Sequence, residues 1–82
     1  MRMNEFQLLS QQEQITILYR QGIYIGKKMT GKFTKMLYQL ECFYVEIIYS
    51  SYRRTIQKII YSDSTAILDP YLDQIPIEYL VT

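Results

Sequence analysis

The sequence contains no histidine. That removes the one side chain whose unperturbed titration falls near neutrality, the usual general base and the commonest metal ligand. Ser-His-Asp and Cys-His nucleophilic catalysis are therefore excluded. A zinc site would have to rely on one thiolate and carboxylates, outside the usual ligand sets, so no metal and no cofactor is expected. The only cysteine, Cys42, cannot close an internal disulfide, and nothing points to a secreted, stapled fold. Glycine is scarce too: Gly22, Gly26 and Gly31 are spaced for a cap, a strand and a turn. Gly31-Lys32-Phe33 lacks the upstream glycine and the hydroxyl of a phosphate-binding loop. No segment approaches about 18 uninterrupted apolar residues, and Met1 to Gln7 lacks the apolar run of a signal peptide. The expectation is a cytoplasmic protein without a membrane segment.

What is present is aromatic and β-branched. Nine tyrosines and three phenylalanines occur in 82 residues of net charge +1. A chain of this length makes one domain, residues 1–82, and buries only a little over ~60% of the surface its unfolded form exposes. Its core is small, and some of the aromatic area is expected at the surface, where it favours self-association into a homodimer.

The segment Lys35 to Ser50 carries no Gly, Pro, Asn or Asp and reads as one long β-strand. Its polar residues change phase: Lys35, Gln39 and Glu41 are odd and Glu46 is even. The apolar set switches from Met36, Tyr38 and Leu40 to Phe43, Val45, Ile47 and Tyr49, so the inward face swaps near residues 41–43. Sixteen extended residues would span roughly 50 Å against about 30 Å for a compact domain of this length, so the strand must bend. Without turn residues, a β-bulge is the expected device.

Ser10 and Glu13 have capping-box spacing, which predicts a helix from Gln11 to about Gln21 with Ile15, Leu18 and Tyr19 inward and Gly22 at positive φ beyond its end. Phe6, Leu8 and Leu9 are expected at the core. A first strand runs from Ile23 to Met29 into a Thr30-Gly31-Lys32 turn, and a third from Thr55 to Tyr61. Strand one is expected beside the first half of the long strand and strand three beside its second half. Asp63 or Ser64 caps a helical turn through Leu68. Asp69-Pro70 opens a short helix from Pro70 to about Ile75, ahead of a docked tail with Ile77, Leu80 and Val81. The fold class is thus α+β: an N-terminal helix, a three-stranded antiparallel meander with a long bent central strand, and a short C-terminal helix, both helices on one face.

The run from Leu37 to Glu46, followed by Ile56, Ile59 and Leu68-Asp69-Pro70-Tyr71-Leu72, resembles a pattern seen in small uncharacterised bacterial α+β proteins. The resemblance spans about half the chain and implies a fold; no site residue is carried over from it.

Three functional readings follow. Arg20, Lys27, Lys28, Lys32 and Lys35 crowd residues 20–39 without an acid, whereas Asp63, Asp69, Asp73 and Glu78 occupy the C-terminal region without a base. Such polarity, with unpaired strand edges and exposed tyrosines, suits a non-enzymatic protein-interaction or assembly domain whose partner is a second copy or another protein. The alternative is a nucleic-acid-associated protein. In it, Lys27, Lys28, Lys32 and Lys35, extended by Arg53, Arg54 and Lys58, hold a phosphate backbone while Tyr24, Phe33 and Tyr38 stack bases. Against it, a sequence pI of about 7.8 is well below the usual basic footprint. The third reading is carboxylate acid/base chemistry by Glu41 and Glu46, brought to one side by the bulge. Cys42 lies between acids that would raise its pKa, the wrong direction for a nucleophile, so a core or bulge place is expected for it.

Overall fold

A computed structural model of the chain describes residues 1–52 and 55–74. The elements run α1 (Met3–Gln7), α2 (Gln11–Gln21), β1 (Ile23–Thr30), β2 (Phe33–Leu40), β3 (Phe43–Ser50), β4 (Ile56–Ser62) and a 3-10 helix (Thr65–Gln74). The fold is α+β, with the four strands antiparallel in the order β1-β2-β3-β4. Arg53, Arg54 and the expected tail from Ile75 onward lie outside the described residues.

The expected long strand is two strands. Leu40 pairs with Phe43, so Glu41 and Cys42 form a two-residue hairpin loop. Glu41 sits at φ 56 and Gly31 of the β1–β2 loop at φ 58, whereas Cys42 and Lys32 do not have positive φ. Positive φ at the first loop position alone is the φ pattern of a type II′ turn. The phase change was the mark of this turn: with two residues in the loop, even positions of β2 face odd positions of β3, as in Met36↔Ile47 and Tyr38↔Val45. A glutamate stands where turn chemistry favours glycine, which is why composition concealed it. Bulges occur elsewhere, between Tyr24 and Gly26 in β1 and opposite Ile48 and Tyr49 in β4.

Alternation gives the sheet two faces. On the front, Tyr38, Leu40, Phe43, Val45 and Ile47 are buried with Phe6 of α1 and Leu18 of α2. Ser10 caps α2 through Glu13, whose amide donates to the serine Oγ at 3.2 Å; the hydroxyl in turn donates to the Glu13 carboxylate at 2.9 Å, in place of the reciprocal backbone bond of a full capping box. Gly22 is extended (φ −74), not left-handed; a Cβ there would stand 2.6 Å from the Leu18 carbonyl oxygen. Gln14, buried, donates through Nε2 to the Phe6 carbonyl and to the Tyr61 hydroxyl, both at 2.8 Å, which ties α1 and β4 to α2. Leu8 and Tyr19, expected inward, are 88% and 67% exposed.

The back face is covered by the 3-10 helix, so the helices lie on opposite faces and not on one. Leu68 and Tyr71 pack on Leu37, flanked by Ile25, Tyr44 and Ile67. Ser64 starts this helix, its Oγ accepting from the Ala66 amide at 3.2 Å. Pro70 is carried inside it, so the two short helical pieces expected around Pro70 are one. Gln74 reaches the outer edge of β1: its Nε2 donates to the Lys27 carbonyl at 2.8 Å and its Oε1 accepts from the Lys27 amide at 2.9 Å. The side-chain amide thus fills one strand-pairing position.

Candidate interaction surface

α2 leaves the outer part of the front face open. Tyr24 and Met29 of β1 are 51% and 69% exposed there, and Tyr19 projects from the end of α2. Register places Lys27 beside Met36 and Met29 beside Thr34, and Thr34 beside Tyr49. These residues, with Ser51, line a shallow open depression. At its upper rim Tyr24 meets Tyr38 edge-on, ring centroids 5.7 Å apart. Burial, then the neighbouring Tyr19 hydroxyl, push the Tyr49 phenol up to about 12. Burial raises Tyr38 as well, with Tyr19 and Tyr24 adding to it. Four tyrosines, from α2, β1, β2 and β3, therefore converge beside two methionines. Tyrosine and methionine are enriched at protein interfaces because they offer large, adaptable contact area with few exposed charges.

The sequence-predicted lysines do not form one patch. Lys27 lies on the front face, where alternation opposes it to Lys28 and Lys35 on the back, and Lys32 is in the hairpin loop. The back face instead aligns Lys28, Lys35, Ile48 and Lys58 in one row across all four strands, through the pairs Lys28↔Lys35, Lys35↔Ile48 and Ile48↔Lys58. Phe33, 44% exposed, and Gln57 border this row. Among the described residues none of these lysines makes an ion pair; the one such pair joins the Met1 ammonium to Glu41 at 2.6 Å. Arg53 and Arg54 lie outside the described residues.

Glu41 and Glu46 are not brought together. Glu41 occupies the hairpin loop, while Glu46, 8% exposed, faces the back core and accepts from the Tyr71 hydroxyl at 2.7 Å. Cys42 is exposed in the same loop, neither core nor bulge. Sequence reasoning overlooked the Glu46–Tyr71 pair and the Gln74 clamp, because each joins residues far apart in the chain and neither has a local pattern.

Among the described residues no helix is long and apolar enough to cross a membrane. The chain matches no family model, no curated protein and no solved structure.

Proposed function

We propose that this chain is a small non-enzymatic protein-interaction or assembly domain of the cytoplasm, homodimeric, whose open front face takes a polypeptide partner. What carries the reading is the cluster of Tyr19, Tyr24 and Met29, exposed beside Tyr49 and Met36. An apolar aromatic surface of this kind stays bound when salt is raised, since burial and not ionic attraction holds it. The test is recovery of the wild-type chain and of a Tyr24→Ser, Met29→Ser variant from native cells at low and at high salt. A stoichiometric polypeptide that survives high salt with the wild type and is lost with the variant supports the reading. Identical recovery with both chains overturns it.

A second reading, nucleic-acid association, draws on the Lys28–Lys35–Lys58 row beside Phe33. At about 4.8 Å between strands the row is roughly 14 Å long, enough to follow a short stretch of single strand. It requires recovered nucleic acid that dissociates at high salt and is lost with Lys28→Glu and Lys35→Glu.

A further inference from the structure

The two edges of the sheet differ. β1 is clamped at Lys27 by Gln74 and lies beside the 3-10 helix. β4 has no buried residue, whereas β3 buries Phe43, Val45, Glu46 and Ile47. We propose that the outer edge of β4 pairs antiparallel with β4 of a second copy of this chain, about a two-fold axis at Ile60, joining two four-stranded sheets into one. The proposal deepens the assembly reading and rests on it, by naming the partner at one edge.

Backbone alternation identifies the groups that point outward. The Ser50 amide donates toward β4, to the Thr55 carbonyl at 2.9 Å, and the Ser51 amide donates toward β2, to the Lys32 carbonyl at 2.8 Å. Counting back along β3, Ile48, Glu46 and Tyr44 also bond toward β4, so their partners Lys58, Ile60 and Ser62 face inward. Ile59 and Tyr61 therefore present their N–H and C=O groups outward. The same count across β2 turns Lys27 outward on β1, where Gln74 is in fact bonded to both of its backbone groups. Among the described residues nothing bonds to the outward groups of Ile59 and Tyr61.

A two-fold axis permits few registers. Centring on Lys58 sets two lysines directly opposite each other, which is destabilising. Centring on Ile59 brings Tyr61 opposite Gln57, inside the bulge that interrupts β4. Centring on Tyr61 shortens the overlap to Ile60–Ser62. Centring on Ile60 uses the regular segment Lys58–Ser62 and nothing else. It pairs each Ile59 with the partner's Tyr61 on the front face, an aromatic and β-branched combination that favours pairing. On the back it sets Ile60 against the partner's Ile60 and Lys58 against the partner's Ser62. Ile60 belongs to neither core cluster and is only half-buried, an apolar side chain left at an edge. The devices that blunt an edge, a lysine and a bulge, both stand at the start of β4 and leave Ile59–Ser62 unguarded.

The test uses the full chain with Cys42→Ser to remove the native thiol. Two variants are oxidised under mild conditions, Ile60→Cys and Lys58→Cys, with circular dichroism to confirm that each is folded. The Ile60 position lies at a non-hydrogen-bonded pair, where the Cα separation of about 4.5 Å accepts a disulfide. The expected result is a shift of Ile60→Cys to twice the chain mass, reversed by reductant, with Lys58→Cys remaining single. Equal or faster linkage of Lys58→Cys overturns the register. A wild type that sediments as one chain at every concentration up to millimolar overturns the pairing itself. Neither position touches the Tyr24 and Met29 surface, so Tyr24→Ser with Met29→Ser leaves the crosslink unchanged, and failure of one idea is separable from failure of the other.

Discussion

Glu46 is a carboxylate facing the back core, held by the hydroxyl of Tyr71, which is itself fully buried. Removing that hydroxyl leaves the carboxylate desolvated without its donor. Tyr71→Phe is expected to cost about 2 kcal/mol of stability. Adding Glu46→Leu to Tyr71→Phe should restore most of the loss, because both polar groups then vanish together; a urea-denaturation double-mutant cycle reads the coupling. Burial foremost, and then Glu46, raise the Tyr71 phenol above its ordinary value of 10.0, and burial raises Tyr38 and Tyr49 in the same direction. The folded state thus keeps these protons to higher pH than the unfolded chain does. Their contribution to stability is fully present below pH 10 and is lost as pH rises from the ordinary value through the raised ones, which for Tyr49 is about 12. Unfolding free energy should fall above pH 10 by about 1.4 kcal/mol per pH unit for each tyrosine in its window. Denaturation at stepped alkaline pH, with tyrosinate absorbance as a second probe, checks this; a flat profile would contradict it.

Two short elements hold the sheet in register. The Glu41-Cys42 loop places a non-glycine residue at φ 56, a conformation that costs an L-residue roughly 1 to 2 kcal/mol. The exposed contact of Glu41 with the Met1 ammonium returns little of that. Glu41→Gly should therefore raise stability by about 1 kcal/mol, read as a shift in urea midpoint; destabilisation would mean that the Met1 contact outweighs the strain. At the other edge, Gly26 lets the 3-10 helix lie close to β1. A Cβ there would stand 2.6 Å from the Gln74 Oε1 and 3.1 Å from the Tyr71 ring. Gly26→Ala is expected to displace the Gln74 clamp at a cost of about 1 to 2 kcal/mol, through two lost hydrogen bonds and local overpacking. Hydrogen exchange at the Lys27 amide should accelerate while core β3 amides stay protected. These elements differ in how far the sequence reveals them. α2 was legible because its cap and apolar stripe are local, and Gly31 because glycine announces its turn. The second hairpin carried the right phase signal and the wrong residue type. The Gln74 clamp had no local signal.

At the scale of the whole molecule, the extents are 36 × 32 × 20 Å and the Cα radius of gyration 12.7 Å, against about 11.7 Å for a compact chain of this length. The molecule is a slab, with a large sheet and thin covers on each face. A slab this thin leaves much of its surface for a second copy, as proposed, to cover. If a second copy does so, the urea midpoint should rise with protein concentration, since association stabilises the folded form by mass action. A midpoint independent of concentration would identify a monomer and count against the pairing.

Lysine placement shows why surfaces are harder to read than elements. Five cations in residues 20–39 look like one patch in the chain, yet strand alternation sends Lys27 to one face and Lys28 and Lys35 to the other, and cross-strand pairing brings in Lys58. The sequence by itself determined the α+β class, α2 with its serine cap, the Gly31 turn and the alternating apolar sets, because each depends on neighbours within a few positions. The tertiary structure alone decided the hairpin at Glu41, the opposite placement of the helices, the Glu46–Tyr71 and Gln74–Lys27 contacts, and the tyrosine and methionine surface. Each of these depends on which distant strands become neighbours, and that is settled by register and packing across the sheet.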